Sequence, residues 1–261
     1  MREASSADGP EKAKFPNQSQ WTRTRGPWSH RAIVAGRSSG GKFYVNAAAA
    51  FGHNSVMLTR RLTPSEIARR LREASAGQTA DELPGLHAEA ARPAAVLLPL
   101  FEQGAEWHLL YIVRAEHDGD RHSGEVAFPG GRRERDDADA VATALREARE
   151  EVGLDPGRVR ILGVLPPLRT VSGYRVTPVV GHIPWPLPLR PDPAEVARVF
   201  GLPLPWLGDP VNRRVRVWPA PDHPEAREVI FFEERDGQRL WGVSARITLD
   251  LLRCLQLGAD A

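Results

Sequence analysis

Lysine is absent from this 261-residue chain after Lys42, and from Met57 onward every basic side chain other than histidine is arginine. A single cysteine, Cys254, leaves no internal disulfide to form, which suits a reducing, cytoplasmic setting. No run of 18 apolar residues occurs, so no helical membrane span is expected. The formal charge of +2 hides a division. Residues 1–56 carry eight Lys and Arg against three acids, whereas the rest carries 27 Arg against 30 acids. A mildly acidic body offers no electrostatic footprint for nucleic acid.

The charge step also marks an expected boundary. Residues 1–56 lack helical or alternating periodicity and are rich in Ser, Gly, Asn and Arg, which predicts disorder. The only methionines are Met1 and Met57, and Met57 stands just ahead of the first amphipathic segment. Translation is therefore expected to start at Met57, with 1–56 an extension of the gene model. The rival reading is an organelle-targeting peptide, because the stretch is basic and poor in acids.

Residues 57–92 are expected to hold a helix and a linker. In "TPSEIARRLRE" (63–73), Thr63 suits an N-cap, Pro64 the first helical position and Glu66 a capping box. Ile67 and Leu71 would share a docking face. Residues 93–257 read as an α/β domain with a mixed sheet. "AAVLLPLF" (94–101) and "WHLLYIV" (107–113) predict an antiparallel pair about a Gly-containing turn. "RILGVL" (160–165) and "VTPVVGHI" (176–183) predict strands, with Pro178 requiring an edge or a bulge in the second. "PAEVARVF" (193–200) predicts a short helix, "RVRVWP" and "EVIFFEE" two strands about a turn, and residues 243–257 a final helix.

The stretch "FPGGRRERDDADAVATALREAREEVGL" (128–154) sets a Pro-Gly-Gly turn ahead of a further helix. Acids at 137–139 favour its N-terminus, and Gly153 suits a left-handed cap. Val141, Leu145, Ala148 and Val152 form the expected buried stripe, with Glu147, Glu150 and Glu151 beside it rather than within it. Glu147 and Glu151, four apart, point at one spot. Two readings stand: a solvated acidic face softened by Arg146 and Arg149, or a site for a divalent cation. Oxygen ligands without Cys or paired His favour Mg²⁺ or Mn²⁺ over zinc.

The order Gly131-x5-Asp137-x8-Arg146-Glu147-Ala148-Arg149-Glu150-Glu151-Val152-Gly153-Leu154 resembles the Nudix box. It departs by one extra residue before the Arg-Glu pair, by aspartate for the first glutamate, and by Ala148 at an aliphatic slot. The first two departures, the "FPGG" entry at Phe128–Gly131 and the lead-in from Gly124 are similar to the coenzyme A diphosphatase branch of that family. So are "LPPLRTVSGYRVTPVVG" (165–181), "EVARVFGLPLPWL" (195–207) and "LWGVSARI" (240–247). The branch usually reads Arg-x-His-x-Gly before "FPGG"; here Asp120 fills the arginine slot, with Arg121 next to it.

The resemblance implies a Nudix-type α/β/α sandwich with a mixed sheet over residues 93–257. It implies cleavage of the diphosphate of coenzyme A or its thioesters to 4′-phosphopantetheine and adenosine 3′,5′-bisphosphate, with Mg²⁺ or Mn²⁺ as cofactor. Glu147 and Glu151 become the principal metal ligands, Glu150 a third ligand or catalytic helper, and the Gly130 carbonyl a further candidate. Arg146 would orient a box carboxylate, with Asp137 as its partner. Glu195 would be general base or accessory ligand, against a helix-terminal acid that serves only the dipole. Arg121, Arg132 and Arg133 flank the turn and would meet the 3′-phosphate, and Tyr174 would stack on adenine or simply half-bury in a strand. Another nucleoside diphosphate derivative as substrate, or a non-catalytic nucleotide-binding domain, are the alternatives. The partner expected is a small nucleotide, not a nucleic acid or a membrane, and a homodimer is left open.

Overall fold

A computed structural model of the chain describes residues 62–76, 91–117, 122–218 and 227–258. The expected extension 1–56 and most of the linker expected at 75–92 lie outside the described residues. Helix α1 (Pro64–Ala76) opens with the Thr63 Oγ1 accepting the Glu66 amide at 3.2 Å, while the Glu66 carboxylate turns to Arg70 at 2.9 Å. Strands β1 (Arg92–Gln103) and β2 (Glu106–Arg114) then pair antiparallel across a tight turn at Gly104, as their apolar runs predict.

Around this hairpin the sheet grows on both sides. Strand β3 (Val126–Ala127) pairs with β2, and β4 (Gly130–Arg132) with β1. Helix α2 (Ala140–Val152) follows, then β5 (Arg160–Val164), β6 (Leu168–Arg169) and β7 (Tyr174–His182). β7 runs parallel to β1 and antiparallel to β5 and β6, so the sheet is mixed. β5 leaves β7 at Val164–Val179 and β6 rejoins it at Leu168–Val176. Pro178 falls in that interruption, where a missing N–H removes no ladder bond.

One expectation fails. Residues 196–203 form a strand, β8 (Val196–Pro203), not the helix read from "PAEVARVF". It lies antiparallel on β2, and Glu195 precedes it in a turn rather than heading a helix. The free edge of β2 offers a full ladder of hydrogen bonds, and β-branched Val196 and Val199 suit it; tertiary pairing overrides a weak local preference. Helix α3 (Leu204–Gly208), a separate ribbon of β9 (Arg213–Trp218) and β10 (Arg227–Phe232), and helix α4 (Gly242–Cys254) complete the chain.

Alternation along the strands gives two apolar layers. Leu98 and Leu100 of β1 face one cluster with Ile67 and Leu71 of α1 and Ile247, Leu251 and Leu252 of α4. Ala95, Leu97 and Phe101 face the other, with Ala144, Ala148 and Val152 of α2. The protein is thus an α/β/α sandwich, as expected. No helix among the described residues is long and apolar enough to cross a membrane. α1 sits close on β5, where a side chain on Gly163 would meet the Leu71 Cβ at 3.0 Å. The Trp107 indole also donates to the Leu62 carbonyl at 2.8 Å. Because Leu71 is fully buried, Leu71→Ala is expected to cost about 2–5 kcal/mol in urea denaturation. A loss below about 0.5 kcal/mol, the range of ordinary surface substitutions, would show that α1 is not part of the cooperative fold.

Candidate active site

The site is assembled where β4 passes under α2. Gly130 and Gly131 pair with Val96 and Ala95 of β1. A Cβ on Gly130 would lie 2.4 Å from the Ala95 carbonyl oxygen and 2.6 Å from the Val96 Cα, so only glycine lets the turn press against β1. A Cβ on Gly131 would lie 2.5 Å from Oε1 of Glu147, whose carboxylate occupies that space.

α2 starts at Asp139, whose side chain accepts the Ala142 amide at 2.8 Å, and ends at Gly153 with φ 66°. Its buried side differs from the expected stripe. Thr143, Ala144, Ala148, Glu151 and Val152 are buried, while Val141 and Leu145 are only half-buried. The helix is therefore rotated so that Glu151 lies within the buried face, 3% exposed, not beside it. Its Oε2 accepts the Gly130 amide at 2.9 Å.

Burial is the main cause that pushes the Glu151 carboxyl up to about 8. The Gly130 amide and Arg114 pull the other way, and the charges of Glu147 and Glu195 add to the rise. Glu147, half-buried, is also pushed up, first by desolvation, with Arg146 opposing and Glu150 and Glu195 reinforcing. Glu150 is exposed and pairs with Arg146 at 2.9 Å. Glu195 is held near α2 because the preceding loop caps the helix: the Arg190 and Asp192 amides donate to the Val152 and Glu151 carbonyls at 2.8 and 2.9 Å.

Arg146 ties the arrangement together. Its Nε and Nη2 meet the two oxygens of buried Asp137 at 3.0 Å each, Nη2 also reaches Glu147 Oε1 at 3.0 Å, and the Arg132 carbonyl accepts at 2.9 Å. The Arg146 guanidinium, above all, holds the Asp137 carboxyl down at about 2.

The remaining expected site residues are dispersed. Arg132 is exposed at the end of β4, and its carbonyl serves Arg146. Arg133 directs its guanidinium to the Asp137 and Ala138 carbonyls at 3.0 and 2.6 Å. Tyr174 packs against the α1/α4 layer with the Arg92 guanidinium 4.3 Å over its ring, four register steps along β1 from Val96. Arg121 lies outside the described residues. Arg114, at the end of β2, is a counter-charge to Glu151 that the motif reading missed; its place beside the segment leading into "FPGG" was the available signal.

These side chains fit a hard divalent cation. Glu147, Glu151 and Glu195 concentrate negative charge, and for Glu151 one amide and Arg114 do not offset its burial. Among the described residues no group of three or more His, Cys, Asp and Glu is placed to hold a metal ion by itself. A hard divalent cation needs only one or two carboxylates where waters and substrate phosphates complete its shell. Glu147 and Glu151 would hold it.

Comparison with known proteins gives the family. A family model, the NUDIX domain, matches residues 91–242. The "Uncharacterized Nudix hydrolase NudL" of Pectobacterium atrosepticum is 40% identical over 157 residues, 60% of this chain and 79% of that protein. Its namesake in Escherichia coli is 50% identical over 113 residues, 43% of this chain and 58% of that one. Against the latter, the chain spans little more than half the relative's length. Among solved structures, the Nudix hydrolase RenU of M. smegmatis is similar over 44% of this chain and 71% of its own, with 23% identity and a TM-score of 0.38. The chain belongs to the Nudix family, and it is a hydrolase of phosphoric anhydride bonds.

A depressed carboxyl stabilises the fold above its ordinary pKa, and that contribution fades as pH falls toward the folded value. The stability advantage of the native chain over Asp137→Asn is therefore expected to be constant above about pH 5. It should shrink between the ordinary value of 3.8 and about 2. Urea midpoints across that range measure it; an advantage that grows on acidification would contradict the pairing.

Proposed function

We propose that the protein is a divalent-metal-dependent pyrophosphohydrolase of coenzyme A or its thioesters, releasing 4′-phosphopantetheine and adenosine 3′,5′-bisphosphate. The observation that carries the metal dependence is the buried Glu151 carboxylate, seated on the Gly130 amide with the charges of Glu147 and Glu195 acting on it. The substrate assignment is supported by the "FPGG" entry, the additional residue in the box and the ordered segments at 165–181, 195–207 and 240–247. A Mg²⁺ or Mn²⁺ ion, when bound, screens the diphosphate charge and acidifies a coordinated water.

The chain's own residues do the rest. Glu147 and Glu151 hold the cation, and Arg146 fixes Glu147 while its own position is set by Asp137. Glu195 takes the proton of the attacking water as its oxygen bonds to phosphorus and the bridging oxygen departs with the other phosphoryl group. The lone cysteine agrees with a cytoplasmic setting. Hydrolysis of another nucleoside diphosphate derivative is the second reading, because the usual arginine slot holds Asp120.

Incubation with Mn²⁺ and a panel of coenzyme A, acetyl-coenzyme A, NADH, ADP-ribose and dNTPs tests this, with products separated by chromatography. Coenzyme A species are expected to be cleaved fastest; turnover of another compound alone would reject the substrate. Glu151→Gln is expected to lower kcat by more than the roughly 10–100-fold typical of a ligand's outer partner. In chelator, the same variant should melt higher by a few degrees, about 2–4 °C per kcal/mol, since folding no longer has to hold a carboxyl against its ionisation. Glu195→Gln should lower kcat about 10²–10⁴-fold with the Mn²⁺ requirement unmoved, as a base requires. A raised Mn²⁺ requirement with kcat restored at saturation would make Glu195 a ligand instead.

A further inference from the structure

Arg169 and Arg175 stand directly opposite one another on β6 and β7. Next toward the turn, the Thr170 amide donates to the Tyr174 carbonyl at 2.8 Å, so by the alternation of antiparallel ladders 169/175 is a non-hydrogen-bonded pair. Its Cα atoms are about 4.5 Å apart and its side chains share one face.

The face they share is the informative one. Val176 and Leu168, their neighbours, pack into the α1/α4 layer, so Arg169 and Arg175 point to the α2 side. On that side Gly131, Ala95 and Thr177 form a row across β4, β1 and β7, and Gly131 lies against the Glu147 carboxylate. Arg175 sits one same-face step further along, about 7 Å down the strand and two strand spacings of about 4.8 Å from Gly131, and Arg169 lies one spacing beyond it. Arg175 is exposed and Arg169 half-buried, so the pair is not covered by α2.

The hairpin that carries them is rigid. Thr170 Oγ1 accepts the Tyr174 amide at 3.1 Å and meets the Ser172 hydroxyl at 2.9 Å, the Gly173 amide donates to the Thr170 carbonyl at 3.0 Å, and the Arg92 amide donates to the Gly173 carbonyl at 2.9 Å. Two guanidinium groups fixed to a braced turn are suited to a dianionic phosphate, which each can grip through two parallel hydrogen bonds.

We infer that Arg169 and Arg175 form a second anion subsite, which grips a terminal phosphate of the substrate apart from the diphosphate being cleaved. Resting on the proposed function, that group is the 3′-phosphate on the nucleotide half. The subsite makes the enzyme choose a nucleoside bisphosphate over a monophosphate, whereas the carboxylates alone treat the two alike.

Calorimetry on the full chain with Mg²⁺ compares adenosine 3′,5′-bisphosphate with adenosine 5′-monophosphate. The bisphosphate is expected to bind about 10–100-fold tighter, the scale of one to two charge-assisted hydrogen bonds. That ratio should fall toward one in Arg169→Gln and in Arg175→Gln, and be partly kept in Arg175→Lys, which retains the charge without the fork. Thermal melts identify any variant that fails to fold, and exposed Arg175 provides the variant least exposed to that failure. Equal affinities in the native chain, or a ratio unmoved in Arg175→Gln, would overturn the subsite whether or not coenzyme A is hydrolysed. Conversely, discrimination that collapses in the variants, without cleavage of any coenzyme A species, would uphold the subsite and reject the substrate.

Discussion

The two-pronged bond between the Arg146 guanidinium and the Asp137 carboxylate joins parts of the chain that would otherwise move independently: the loop after β4 and the middle of α2. Asp137 is itself fixed by the Glu134 amide at 2.8 Å, and its following carbonyls are gripped by Arg133. With loop and helix locked, Glu147 is directed onto Gly131 and Glu151 onto the Gly130 amide. Neither carboxylate would choose that position alone, since both lose water and gain a like-charged neighbour. The ion pair sets the geometry in which such crowding persists.

Crowding of this kind is a reservoir of affinity. A carboxylate pushed up by burial and repulsion is released when a cation arrives, so what destabilises the metal-free fold strengthens the loaded one. Glu195 belongs to the same electrostatic unit although it comes from a different layer of the chain. Its turn is attached to the last carbonyls of α2, and those bonds convert a helix end into a mount for a residue more than forty positions away.

Much of this was legible in advance because it is local. The caps at Asp139 and Gly153, the β1–β2 hairpin and the glutamate spacing each depend on a few neighbouring residues. What was not legible depended on distant partners. β8 is a strand because β2 had an edge to offer, which nothing in "PAEVARVF" states. Glu151 is buried rather than flanking because small Ala144 and Ala148 let α2 sink and turn against the sheet. Arg133 resembles a ligand-binding side chain beside a glycine turn, but it closes that turn instead. The cross-strand meeting of Arg169 and Arg175 follows from a register that only the folded hairpin sets.

The segment that matches the family runs from 91 to 242, yet the sheet it builds has two apolar sides. α2 covers one from within the segment. The other is clothed by α1, which precedes it, and by α4, nearly all of which follows it. Motif and folding unit therefore do not coincide. A fragment trimmed to the recognisable stretch would keep every carboxylate of the site while presenting a bare greasy flank to water, and self-association would greet it before catalysis could.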